Sequence, residues 1–126
     1  MGYYVQYRSF TALTAIPPKS LVKYTGVQGQ VAVATANTDK IAGVCDLGAA
    51  AAGDIVDVAL GGFQEVTAGA AASIVPGDYL TTDASGLAVT AVKVASSLVR
   101  VFGIAQVPAA PGDIFLALIA PSSIQG

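Results

Sequence analysis

Eight carboxylates, six cations, one thiol and no imidazole are what this 126-residue sequence offers to reaction chemistry. Without histidine, neither a Ser-His-Asp nor a Cys-His arrangement can be assembled. Zinc and copper sites built on imidazole are likewise excluded, and a single cysteine cannot form a thiolate cluster. Cys45, between Val44 and Asp46 in an apolar stretch, has no base to make it a nucleophile and reads as a small core residue. The carboxylates are Asp39, Asp46, Asp54, Asp57, Glu65, Asp78, Asp83 and Asp113. Asp54 and Asp57, three apart in a predicted strand, point to opposite faces, and no Asp-rich calcium loop is visible. The glycines are dispersed and none forms a phosphate-binding Gly-x-Gly-x-x-Gly before a helix. Lys93, in Val-Lys-Val, is expected on the solvent face of an alternating strand, not at a hairpin tip. The expectation is a protein that is not an enzyme and that uses no cofactor, metal or small-molecule substrate.

One cluster differs in kind. Tyr3, Tyr4, Tyr7 and Phe10 are four of the nine aromatics, with Arg8 among them. Tyrosine and arginine are residues that anchor interfaces. Tyr3, Tyr4, Tyr7, Arg8 and Phe10 are therefore the candidate contact residues. The segment reads as a first strand, as an arm reaching onto a neighbour, or as a ligand-stacking surface. Pro17-Pro18 breaks the chain after it, dividing residues 1–18, an aromatic arm or first strand, from a β-domain over 19–126.

The surface around such a cluster is poor in charge. Hydrophobic residues make up 54%, with 24 alanines and 16 valines, and charged residues only 11%, where soluble domains average about 25%. A chain of this mass exposes roughly 6,000 Å², about one charge per 400 Å², which favours a surface partly covered by other subunits. Arg8, Lys19, Lys23, Lys40, Lys93 and Arg100 form no run that would neutralise several phosphates or hold an anionic membrane, so neither nucleic acid nor a membrane is an expected partner. The first eight residues lack the apolar stretch of a signal peptide, and the longest apolar run, Ile114 to Ala120, is too short for a membrane-spanning helix. With one cysteine no intrachain disulfide forms, and an oxidising compartment is not indicated.

The elements that carry these residues read as strands. Apolar alternation at period two predicts strands near 4–10, 20–25, 30–35, 41–46, 54–60, 63–67, 78–82, 87–94, 98–105 and 113–119. Ala49–Ala52, confined by Gly48 and Gly53, is too short for a stable helix and reads as a loop; residues 68–75 reach a single helical turn at most. Gly61-Gly62 predicts a two-residue hairpin. Asp83-Ala84-Ser85-Gly86 predicts a reverse turn. Gly53-Asp54, Gly77-Asp78 and Gly112-Asp113 each open a strand; Pro76 and Pro111 supply the fixed φ and glycine the positive φ of a tight turn. The order strand, small-residue loop, Gly-Asp, strand occurs over 43–55 and again over 103–114, as two equivalent corners. The expected fold is all-β: a small β-barrel or β-sandwich, a jelly-roll-like one included, with an extended N-terminal segment.

From Ile41 to Ile119 the chain resembles the bacteriophage capsid decoration, or cement, proteins, small β-rich chains. The resemblance runs through Ala42-Gly43-Val44, Ala52-Gly53-Asp54-Ile55, Phe63-Gln64-Glu65-Val66, Gly77-Asp78 with Tyr79-Leu80-Thr81-Thr82, Ala84-Ser85-Gly86 and Phe102-Gly103-Ile104-Ala105. The first forty residues depart from the pattern: they lack an early Gly-Asp turn and carry the aromatic cluster. The resemblance implies a non-enzymatic structural protein, made in the host bacterial cytoplasm and carried on the outer surface of the virion. It implies a homotrimer at local threefold positions that clamps the major capsid protein. A β-sandwich binding module, for carbohydrate or associated with a fibre, is the alternative.

Overall fold

The computed structural model describes residues 5–93 and 95–125, which form nine strands and no helix. They are β1 (Val5–Ala12), β2 (Ser20–Tyr24), β3 (Gln30–Val33), β4 (Ile41–Cys45), β5 (Ile55–Thr67), β6 (Tyr79–Thr82), β7 (Ala88–Thr90), β8 (Leu98–Ala105) and β9 (Ile114–Gln125). Their order is β1-β3-β2-β4-β5-β9-β8-β6-β7, with β1 also paired to β5. That extra pairing closes β1, β3, β2, β4 and β5 into a five-stranded barrel; β9, β8, β6 and β7 continue from β5 as an open extension. The all-β expectation is met by a barrel with additional strands. Residues 5–12 of the N-terminal segment are the strand that closes it.

Two cores share one wall. Inside the barrel lie Phe10, Ala12, Ile16, Val22, Val31, Ala42, Cys45, Val56 and Val58. The second core packs Leu21, Ile41, Val44 and the β5 residue Val66 against Leu80, Phe102, Phe115 and Ile119 of the extension. Successive strand residues face opposite ways, so Leu21 and Val22, Ile41 and Ala42, Val44 and Cys45 each feed a different core. All five residues of β4 are consequently buried. A wall with no solvent face is closely packed: an added Cβ at Gly43 would collide with the Ala59 carbonyl oxygen. Gly103 stands in the same relation to the Leu118 carbonyl, so the echo between the two stretches is also an echo of close backbone approach. Leu21, Leu80 and Phe102 are completely buried, each contributing roughly 1.5–3 kcal/mol relative to exposure.

Gly61-Gly62 is not a hairpin. β5 runs unbroken through it for 13 residues. The glycines mark where the strand changes partners: β1 pairs over Ile55–Gly62 and β9 over Gly62–Thr67, with a register shift opposite Gln6 and Tyr7 and a φ of 89° at Gly62. The 87–94 strand is also shorter than expected. β7 stops at Thr90, leaving Val92 and Lys93 exposed in an irregular segment, while Val94 lies outside the described residues. The partner strand β6 begins at Tyr79, whose carbonyl takes a last bond from Ala91 N–H at 2.7 Å.

The Gly-Asp corners are built alike. The Asp54, Asp78 and Asp113 carboxylates accept the N–H of the residue three before, Ala51, Val75 and Ala110, at 3.1, 3.0 and 2.9 Å. Each glycine N–H then docks on the carbonyl of an alanine in another element (Gly53 on Ala12, Gly77 on Ala105, Gly112 on Ala68), and that alanine donates back to the aspartate carbonyl. The 68–78 and 105–113 segments dock on each other in this way, about a reciprocal Ile74–Ala109 pair. The 12–20 and 45–54 segments do the same about Ile16–Ala49. The fourth corner this arrangement requires is Pro17-Pro18-Lys19-Ser20, which carries no Gly-Asp. Lys19 takes the glycine's place with φ 53°, and its N–H bonds the Asp46 carbonyl at 3.0 Å.

Candidate interaction surface

β1 divides the predicted cluster between its two faces. Its pairing with β5 and β3 turns Phe10 and Ala12 into the barrel and leaves Gln6, Tyr7, Arg8, Ser9 and Thr11 exposed. Phe10 is 4% exposed, packed in the barrel core with its ring 6.1 Å edge-on to Tyr24. It is therefore a core aromatic, and its contribution to the surface is indirect: the Arg8 guanidinium lies 5.1 Å over its ring. Tyr3 and Tyr4 lie outside the described residues.

Tyr7 is the member with a developed setting. Its side chain is half exposed, and its hydroxyl donates to Gln64 Oε1 at 2.8 Å. The Gln64 amide, itself buried, donates to Asp46 Oδ1 at 3.0 Å, and Lys19 Nζ bonds the same oxygen at 2.5 Å with Glu65 at 3.5 Å. Burial, then the Asp46 charge, pushes the Tyr7 phenol above its ordinary value. The Lys19 ammonium is raised for the opposite reason, because the hydrogen bond to Asp46 favours its charged form. The ring is thus held at one end by a buried amide and free along its body.

Beside it is a concavity of about 390 Å³, lined by Tyr7, Asp46, Leu47, Ile55 and Asp57. Leu47 is 85% and Ile55 78% exposed, the highest values among the large hydrophobic side chains described. Neither belonged to the cluster expected from sequence, although Ile55 had a signal: it shares the outward face of β5 with Asp57, which accepts from Ser9 at 2.8 Å. Leu47 sits in the loop after β4 and carried none. Cys45 at the floor is buried, and desolvation raises its thiol. Among the described residues no three of His, Cys, Asp and Glu are grouped to hold a metal ion. A half-exposed tyrosine beside two bare aliphatics at a concave edge makes this face the candidate interaction surface.

Residues 9–119 match the sequence model of a family described as phage cement protein. The chain belongs to the phage cement proteins. Cement proteins associate with the phage capsid and stabilise it as structural components, and that is this chain's role and its place in the virion. The match begins at residue 9 and so takes in most of the N-terminal third, which from sequence departs from the cement pattern. No curated protein matches the chain at a significant level. Among solved structures, the crystal structure of the head fiber gp8.5 N base in bacteriophage phi29 superposes with a TM-score of 0.67 at 24% identity, over 93% of this chain and 95% of that chain. At that identity the likeness is one of fold.

Proposed function

We propose that this cement protein sits as a homotrimer at local threefold positions on the outer face of the head, clamping neighbouring copies of the major capsid protein. Its contact is centred on Tyr7, Leu47 and Ile55, with Arg8 at the margin and Tyr3 and Tyr4 extending it. The observation that carries the reading is the bare Leu47–Ile55 rim beside a tyrosine anchored by Gln64. Three such contacts on one trimer make release slow even where each is modest.

Because Val5 to Phe10 pair with β5, removing residues 1–10 would open the barrel and confound any binding measurement. The informative variants are a deletion of residues 1–4, Tyr7→Ala and Leu47→Asp, each checked for unchanged melting and assayed for retention on shells lacking the protein. Loss of retention by Leu47→Asp is expected; full retention by all three variants removes this face from the contact. Mass in solution tests the trimer, and a monomer at assembly concentrations overturns it. A fibre-associated role is the second reading, supported by the fold shared with a head fiber base. It predicts tight binding to a fibre segment and none to bare shells.

A further inference from the structure

A second surface feature is electrostatic. Tyr24 and Lys40, from the barrel, face Arg100, Ser122 and Ser123, from β8 and β9, across a cleft of about 420 Å³. Its walls are fixed by backbone bonds: Tyr24 N–H to the Lys40 carbonyl at 3.0 Å, and Arg100 N–H to the Asn37 carbonyl at 2.7 Å. Of the lysines described, Lys19 and Lys23 have carboxylate partners, but neither Lys40 nor Arg100 forms an ion pair among the described residues. Arg100 Nε is buried with no acceptor there. A buried guanidinium N–H without a partner is uncommon and calls for one. Asp39, adjacent to Lys40, is committed elsewhere, accepting from the Thr35 and Ala36 N–H groups and pairing with Lys23.

Two cations, two hydroxyls and an aromatic ring around a cleft suit a carboxylate, which a guanidinium binds through parallel N–H bonds. Among the described residues each side-chain carboxylate already has a partner within the chain, so a second copy is not the favoured source of one. Asp54, Asp78 and Asp113 hold their corners, and Asp83 caps Ser85 and Leu87. Asp57 takes Ser9, Asp39 holds Lys23, and Asp46 and Glu65 hold Lys19.

We propose that the Lys40–Arg100 cleft receives an acidic side chain of the capsid subunit beneath the protein, an inference that rests on the docking reading above. The test is binding of wild type, Lys40→Glu and Arg100→Gln to shells lacking the protein, at low and high salt, with mass in solution measured for each. Wild-type binding should weaken with salt. Lys40→Glu should bind about tenfold more weakly at low salt and lose that salt dependence. Lys40 is exposed on a loop, so its variant remains informative if Arg100→Gln fails to fold. If Lys40→Glu binds like wild type while Leu47→Asp does not bind, the cleft inference falls and the docking reading stands. If wild type does not bind shells, the docking reading falls and takes the cleft with it. A change of mass in Lys40→Glu makes the cleft a contact between copies and also overturns the inference.

Discussion

The corners at 17–20 and 110–113 occupy matching places in the two interlocked segment pairs, yet they are made of different residues. Ala12, Ile16 and Lys19 have the spacing of Ala105, Ala109 and Gly112, and both chains reverse through a proline into a residue with positive φ, 53° at Lys19 and 81° at Gly112. At 110–113 the Asp113 carboxylate accepts the Ala110 N–H. At 17–20 the equivalent residue is Pro17, which has no N–H to give, so a carboxylate would find no donor. Ser20 inverts the bond, its hydroxyl donating to the Pro17 carbonyl at 2.6 Å, and it is completely buried, where a charge would be costly. The geometry of the corner is conserved within the molecule while its polarity is reversed. One substitution, proline for a donor residue, dictates the other.

The largest expected effects test the frame that both corners share. Gly43→Ala and Gly103→Ala each drive a Cβ into a carbonyl oxygen of the neighbouring strand and should each cost about 3 kcal/mol or more in denaturant unfolding. A large loss at one and none at the other would break the equivalence. Ser20→Asp should cost about 3 kcal/mol, since it buries a carboxylate facing a carbonyl, whereas Asp113→Ser should cost about 1 kcal/mol for one lost hydrogen bond. Equal losses would show that the reversed polarity has no energetic basis. Gly112→Ala meets open space but keeps positive φ, so a loss of about 1 kcal/mol from backbone strain alone is expected.

Lys19→Gly should change stability least, within about 1 kcal/mol, because relief of strain offsets the lost ion pairs. Its signature is in pH dependence. The folded-state pKa of Lys19 is raised above the ordinary 10.5, so its contribution is fully present below that value and is lost as pH rises through the folded value. Wild type should lose stability at alkaline pH by that amount, and Lys19→Gly should lack this component of the profile.

The strands carrying alternating Val, Ile and Thr were legible because period two is imposed by the pleat itself, and the Gly-Asp corners because their chemistry is local. Gly61-Gly62 misled because two glycines relax the backbone equally for a hairpin and for a bulge; only the partner strands, distant in sequence, decide between them. The fourth corner was hidden by its lysine, a residue with no preference for positive φ that is held there by tertiary hydrogen bonds. For the proposed interaction surface, Tyr7 and Arg8 were visible as residue types. Phe10 was not separable from them until the strand's facing was known. Leu47 joins Tyr7 through a loop whose position no periodicity encodes.

The wall that β2 and β4 place between the two cores bears on what a cement protein endures. A sheet with one wet face can peel from its partner while the rest of the molecule stays folded. Here detaching either side strips the same strands of half their packing, so barrel and extension should melt in one transition, with the β4 amides last to exchange with deuterated solvent. If the proposed contact at Tyr7 carries load, that load would pass from barrel to extension through this common septum, and the molecule would act under tension as a rivet, not as a strap.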